Sequence, residues 1–297
     1  MRVFVTGASG FVGSAIVKEL LAAGHQVLGL VRSDKGAEQL AATGAEVLLG
    51  DVNDKDIIRQ GAVACEAVIH TAFNHDFSQF KASCEADREV IETFGEALTG
   101  TNKPLVITSG VGLLNYERLV SETDVAPVGS DVIPRVASEE AAKEASAKGV
   151  DVYIVRLPPS VHGAGDHGFV PIVINIAREK GESAYAGDGN NQWPAVHRSD
   201  AAVIYRLIVE KQPSLKTLHA VAETGVPFRD IAQAIGKGLN LPVVSKSGDE
   251  VAEHFGWFAH FAAINCPSSS EQTCRALGWE PHGTGLIEDI QACYFLS

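Results

Sequence analysis

"VTGASGFVG", residues 5–13, decides the fold. The run "RVFVTG" before it reads as a strand, and a helical stretch from about Phe11 to Ala23 follows, so Gly7, Gly10 and Gly13 fall at a strand-to-helix junction. Three glycines there permit a tight turn, close approach of backbone to a pyrophosphate, and close packing of helix on strand, with the helix N-terminus facing the anion. The spacing is G-x-x-G-x-x-G and not the simplest G-x-G-x-x-G. The nucleotide-binding reading therefore rests on the strand before, the helix after and the βαβ pattern that follows. Ser9, Phe11 and Val12 belong to the same turn and are expected to border the cofactor.

Outward from the turn, short β-branched runs alternate with helical stretches: "QVLGLVR", "AEVLLG", "AVIHTA", "PLVITSG" and "VDVYIVRLPP" are separated by helices near Ala37 and Ile57, from about Ser78 to Leu98, and from Ser138 to Lys148. Strands without amphipathic alternation, separated by helices, imply a parallel sheet covered on both faces, a doubly wound α/β fold. From about Asp166 the rhythm changes to a helix-like "FVPIVINIAREKG" and a glycine-rich "AGDGNNQW". "SDAAVIYRLIVEK" and "KTLHAV" then return to helix and strand, and the remainder reads as short helices with one strand near "LPVVSK". The expected division is a nucleotide-binding domain over 1–165, rejoined by 196–222, and a smaller substrate lobe from 166–195 and 223–297 that packs on the C-terminal edge of the sheet.

The chain has 297 residues, 45% hydrophobic and 21% charged, and no long uncharged apolar run that would cross a bilayer. Starting directly with a strand, it leaves no room for a signal or transit sequence, so a cytoplasmic location is expected. A formal charge of -13 repels phosphate backbones and speaks against a nucleic-acid partner. The five cysteines, widely spaced and without C-x-x-C, suggest neither disulfides nor a metal site; Cys84, near a helix start, is the one weighed as a reactive thiol.

The end of the second strand bears on which dinucleotide is bound. An acidic residue about 20 positions past the glycines would hold a free ribose 2'-hydroxyl, whereas arginine accommodates a 2'-phosphate. "GLVRSD" puts Arg32 and Ser33 there, a forked cation and a hydroxyl, with Asp34 one residue on as the opposing sign. NADP is preferred, and NAD is the alternative.

"VTGASGFVG", "GDVND", "VIHTAF", "VITSG", "VRLPPSVHG" and "PAVHRSDAA" together resemble the extended short-chain dehydrogenase/reductase superfamily, of the NAD-dependent epimerase/dehydratase type, over essentially the whole chain. The resemblance implies a Rossmann-like sheet. It places Asp51 and Val52 beside the adenine and lines the dinucleotide with Thr71, Ala72 and Phe73. Thr108 and Ser109 fall near the nicotinamide, and Pro158 and Pro159 flank its carboxamide end. It also implies a homodimer through the helices at Ser78 to Leu98 and Ser138 to Lys148, for which Ala141, Ala142 and Ala145 would permit close helix approach.

The family's proton donor is a tyrosine followed four residues later by a lysine on one helix face. Those two positions fall on Arg135 and Glu139. No other register restores the pair: Tyr116, Tyr153, Tyr185 and Tyr205 are followed at that distance by Val120, Leu157, Gly189 and Val209. Arg135 and Glu139, four apart, are spaced for an ion pair that would close the site. The chain is thus similar to the atypical branch of the superfamily.

Four residues stand as candidates for the missing chemistry. Ser109 can polarise a substrate oxygen. Arg135 is permanently charged and can stabilise an oxyanion without giving up a proton, or else is a surface cation at a helix start. His75, beside Asp76 in the loop beyond the fourth strand, and His162 in "PPSVHG" have the side chain suited to acid catalysis near neutrality. His197 is read as holding the returning segment in place. Phe255, Trp257, Phe258 and Phe261, with Trp193, are expected mainly as core, or as the roof of an apolar pocket. The leading reading is an NADPH-dependent reductase of a small, mostly apolar carbonyl or enone compound. The alternatives are a catalytically silent NADP-binding sensor or partner-binding protein, and an epimerase or dehydratase, the last opposed by Arg32 and the absent tyrosine.

Overall fold

The computed structural model describes residues 1–114, 116 and 118–295; Leu296 and Ser297, which end the expected lobe, lie outside the described residues. Strands and helices alternate through the first half: β1 (Arg2–Thr6), α1 (Phe11–Ala22), β2 (Gln26–Val31), α2 (Asp34–Ala41), β3 (Glu46–Leu49), α3 (Lys55–Ala64), β4 (Ala67–His70), α4 (Phe80–Leu98), β5 (Pro104–Gly110), α5 (Ala137–Ala147) and β6 (Asp151–Leu157). There follow β7 (Ser160–His162), α6 (Phe169–Lys180), β8 (Ser183–Ala186), β9 (Gln192–His197), α7 (Arg198–Lys211), β10 (Thr217–His219), β11 (Glu223–Pro227), α8 (Phe228–Leu239) and β12 (Val243–Lys246). The chain ends with α9 (Asp249–Phe255), α10 (Ala259–Ala262), α11 (Glu271–Leu277) and α12 (Leu286–Cys293).

Among the described residues, seven strands form one sheet in the order β10-β6-β5-β4-β1-β2-β3, every neighbouring pair parallel. The order reverses beside β1, between β1 and β4, so the carboxyl ends of those two strands open the crevice where such sheets bind ligands. Apolar side chains fill both faces. Val3, Val5, Ile69 and Val106 face α1 and α7, while Phe4, Val68, Leu105 and Ile107 face α3, α4 and α5. Burial on both sides is why these strands read as continuous apolar runs.

A third apolar cluster lies outside the main sheet, built from α6, α8 and α12 around Trp193, Phe228, Phe255 and Phe258. β9 carries Trp193 and links it to the fold, pairing in parallel with β7 and antiparallel with β11. The strand expected near "LPVVSK" is β12, parallel to β8.

α5 packs on α4 so closely that a Cβ added at Gly95 would stand 2.9 Å from that of Ala145. Ala141, Ala142 and Ala145 are buried by this contact. The close approach they permit is therefore spent within one chain, while the outer face carries exposed Lys81, Glu85, Glu89, Glu96, Lys143 and Glu144. Cys84 is fully buried, and burial pushes its thiol up to about 11, which removes it from consideration as a nucleophile. No helix among the described residues is long and apolar enough to cross a membrane.

Candidate active site

The glycine turn has the geometry its sequence demands. Gly7 holds φ at +68°, and a Cβ there would stand 2.8 Å from the Ala72 amide nitrogen and 2.9 Å from Thr71 Oγ1. A side chain at Gly13 would overlap the Gly7 carbonyl, so α1 can lie against the turn only with glycine at this position. Gly10 caps α1 without a side-chain bond, leaving the first amides of the helix free for an anion. A Cβ at Gly10 would meet only Gly7 O, at 3.1 Å, so the space beyond it is open. These features fit a dinucleotide pyrophosphate.

Around this turn, Thr71 donates to Thr6 O at 2.8 Å and pins the end of β4 to β1. Asp51 accepts from Asn53 N at 2.8 Å in a local turn beside Val52, at the carboxyl end of β3. Arg32 is exposed and has no hydrogen-bond or ion-pair partner among the described residues. Ser33 caps α2 by accepting from Gly36 N at 3.2 Å. A Cβ on Gly36 would stand 3.2 Å from Ser33 Oγ and 3.6 Å from Ser9 Oγ, so both hydroxyls converge on the start of α2. Pro158 and Pro159 carry the chain from β6 to β7.

Reading the sequence did not single out Arg198. It opens α7, and its guanidinium lies 4.9 Å from the Phe11 ring, directly over the first residue of α1. A Cβ on Gly163 would stand 3.3 Å from Arg198 Cγ, so a glycine here gives the side chain its path. No carboxylate pairs with Arg198 among the described residues. The residue was missed because β9 and the α6 segment bring it to the turn from nearly 190 positions away.

Arg135 and Glu139 do not pair with each other. Arg135 Nη1 donates to Asp87 Oδ2 at 2.9 Å and to Ser138 Oγ, and Nη2 donates to Thr108 O at 2.8 Å. The guanidinium lies 4.3 Å from the Phe73 ring centroid, and its side chain is 16% exposed, so it is no surface cation. Asp87, from α4, also accepts from His70 Nε2 at 2.9 Å, and His70 Nδ1 meets Thr6 Oγ1 at 2.7 Å. Burial alone would raise the Asp87 carboxyl, but the Arg135 charge and the His70 and Ser138 hydrogen bonds outweigh it and bring it to about 2. A line of buried polar groups thus runs from β1 to the residue standing where the family has its tyrosine.

Glu139 has a different partner. Arg156, fully buried on β6, donates to it from Nε at 2.8 Å and from Nη2 at 2.7 Å. Burial pulls the Glu139 carboxyl up, but the Arg156 contacts more than offset this and leave it lowered. Ser109 donates its proton to Glu139 Oε1 at 2.7 Å, which leaves only its lone pairs to face a ligand. Thr108 turns the other way, its hydroxyl meeting His70 O and the Tyr205 hydroxyl, both at 2.9 Å. The spacing rule for helix pairs failed here because α4 and β6 each supply a buried partner that no local pattern reveals.

The two histidines part company. His75 is exposed at the rim, its ring 5.2 Å from Phe73 and tilted 74° to it. Asp76 does not orient it: that carboxylate accepts from Ser78 N at 3.0 Å and Ser78 Oγ at 2.6 Å. Enclosure by the loop, then the Arg135 charge, lower the His75 pKa. His162 is fully buried, bonded through Nδ1 to Asp289 at 2.8 Å, with its ring against His197. Among the described residues no hydrogen bond joins it to Ser109 or Arg135. His197 accepts from Ser199 N at 3.3 Å and caps α7, holding the returning segment as expected.

The aromatic set divides as well. Phe255, Phe258 and Trp193 are core, but Trp257 is 57% exposed and stacks on Phe77, a residue the sequence reading passed over.

A dinucleotide turn on a seven-stranded parallel sheet, with polar groups gathered at the ends of β4, β5 and α5, defines a class of nicotinamide-cofactor proteins. The chain belongs to that class: residues 7–171 match the NAD(P)H-binding family. It is 47% identical over 296 residues to an uncharacterized protein of Schizosaccharomyces pombe, covering 99% of this chain and 100% of that one. It is also 27% identical over 328 residues to dihydroflavonol 4-reductase of Hordeum vulgare, covering 95% and 91%. Among solved structures, the dTDP-glucose 4,6-dehydratase DesIV of Streptomyces venezuelae, with NAD and TYD bound, superposes with a TM-score of 0.78 at 17% identity, covering 98% of this chain and 96% of that one. That likeness is one of fold.

Proposed function

We propose that this protein is an NADPH-dependent reductase of a small, mostly apolar carbonyl or enone compound. The observation that carries the proposal is Arg135. The buried groups Asp87, Ser138 and Thr108 O hold it where the family has its tyrosine, and its Nε hydrogen and one Nη2 hydrogen are left without a partner among the described residues. Arg32, with the Ser9 and Ser33 hydroxyls, is the set we assign to a ribose 2'-phosphate, and Arg198 with the α1 amides to the pyrophosphate. Bound NADPH supplies a hydride. Arg135 then stabilises the oxyanion that forms as the substrate carbon accepts it, and its fixed geometry means that no reorganisation is needed at that moment.

A guanidinium does not give up a proton, so the residues present suit an enone best: the enolate is held by Arg135 and its carbon takes a proton from water. For a simple carbonyl, we assign protonation of the alkoxide to His75, in the imidazolium form that its lowered pKa confines to acid pH. Ser109, committed to Glu139, leaves oxygen polarisation to Arg135, and His162 is assigned to holding α12 through Asp289. Support of the same kind comes from relatives named as reductases, such as the 2-alkyl-3-oxoalkanoate reductase of Stenotrophomonas maltophilia, 27% identical over 229 residues.

A catalytically silent NADP-binding protein is the second reading. It is favoured by the Ser109–Glu139–Arg156 network, which neutralises the position of the family's lysine. NADPH consumption against ketones, aldehydes and enones decides between them. The reductase reading expects turnover, strongest with enones, that falls about 100-fold or more in Arg135→Met while NADPH affinity stays within a few-fold. Tight NADPH binding without turnover across the panel would establish the silent reading instead.

A further inference from the structure

From Arg135 outward, aromatic rings form a continuous lane. Phe73 lies under the guanidinium, Phe80 meets Phe73 edge-on at 6.3 Å, and Phe77 stacks on Phe80 at 5.6 Å with planes 26° apart. Phe77 also stacks on Trp257 at 5.1 Å and 27°. Phe80 and Trp257 form no ring pair with each other among the described residues, so Phe77 bridges them, and Phe261 closes its edge at 5.5 Å. The slot between Phe80 and Trp257 already holds a phenyl ring supplied by the protein.

What holds Phe77 there is ring contact. It sits on a single turn, Phe77–Gln79, that leads into α4, and among the described residues the hydrogen bonds made by side chains of residues 74–78 stay within the segment: Asp76 N to Asn74 Oδ1, and Ser78 N and Oγ to Asp76 Oδ1. A ring of equal size and flatness that stacks equally well can replace it without breaking a side-chain hydrogen bond to the rest of the fold.

We propose that Phe77 occupies the ring subsite of the substrate channel. The substrate is a planar aromatic carbonyl compound whose ring displaces Phe77 from between Phe80 and Trp257 and whose oxygen points down the lane to Arg135. The direction of the oxygen rests on the reductase reading; the ring subsite does not. Aromatic stacking supplies selectivity that apolar burial alone lacks, because an alicyclic ring fills the volume without a flat face to offer.

Trp257 reports on its own slot, since Trp193 and Trp279 are 0% and 2% exposed. The test titrates tryptophan fluorescence with 4-phenyl-3-buten-2-one and with its cyclohexyl counterpart, in parallel with NADPH consumption. The expected result is saturable quenching by the phenyl compound with a Kd about three- to ten-fold below that of the cyclohexyl one. Phe77→Ala lowers the phenyl Kd further, because the competing ring is gone, and Trp257→Leu abolishes the preference in KM. Equal affinity for the two compounds, or weaker phenyl binding in Phe77→Ala, overturns the subsite. Quenching with the phenyl preference but no NADPH consumption keeps the subsite and refutes the reductase; turnover of both compounds alike without quenching does the reverse.

Discussion

Replacing Arg135 by methionine tests the buried network and the chemistry together. In the variant the Asp87 carboxylate, its side chain only 4% exposed, loses its cation and keeps His70 and Ser138. Removing one partner of a buried ion pair costs about 3–5 kcal/mol, and the retained hydrogen bonds put Arg135→Met near the lower end, at about 3 kcal/mol. Asp87→Asn costs less, about 1–2 kcal/mol, because Arg135 still donates to Thr108 O and reaches solvent. In the double variant no buried charge is stranded, so its loss should fall well below the sum of the two singles, with a coupling of about 2 kcal/mol. Urea unfolding of the four proteins, extrapolated linearly, measures this. NADPH-dependent turnover should stay lost in the double variant although its stability returns, since the guanidinium is still absent. Strictly additive singles would refute the claim that Asp87 and Arg135 form one unit.

The same carboxylate sets an acid limb. Its folded pKa of about 2 lies below the ordinary 3.8, so its stabilisation is present above about pH 4 and is lost as pH falls through about 2; this amounts to about 2 kcal/mol, and a thermal-unfolding series in acid should flatten in Asp87→Asn. Arg32→Ala should weaken NADPH about ten-fold or more by titration calorimetry and leave NADH nearly unchanged, and equal loss for both would return the 2'-phosphate contact to another residue. Arg198→Ala should weaken NADPH and NADH alike, about ten-fold, and lower the salt dependence of both; no change in either would leave Arg198 a packing residue on Phe11.

The doubly wound sheet is legible in the sequence because its causes are local and repetitive. Apolar runs such as "AVIH" are buried on both faces, and only glycine satisfies the backbone at Gly7 and the packing at Gly13. The bounds of α1 and α5 agree with the pattern to within a residue, whereas α4 starts at Phe80 because one tighter turn, Phe77–Gln79, precedes it. His197, read from the sequence only as holding the returning segment, proves to be the cap of α7, accepting from Ser199 N.

The candidate site was legible as a vacancy and no further. The sequence by itself determined that tyrosine and lysine are absent from positions 135 and 139, because a four-residue spacing can be counted. It could not determine what replaced them. Arg135 is tied to Asp87 across 48 positions and Glu139 to Arg156 across 17, and local spacing favoured a pair that these two contacts preclude. Arg198 reaches Phe11, and Trp257 reaches Phe77, only because the later strands and helices fold back over the first half. Periodicity and turn chemistry are written into neighbouring residues. Charge partners and stacked rings are chosen by packing between distant ones, and only the tertiary structure decided them.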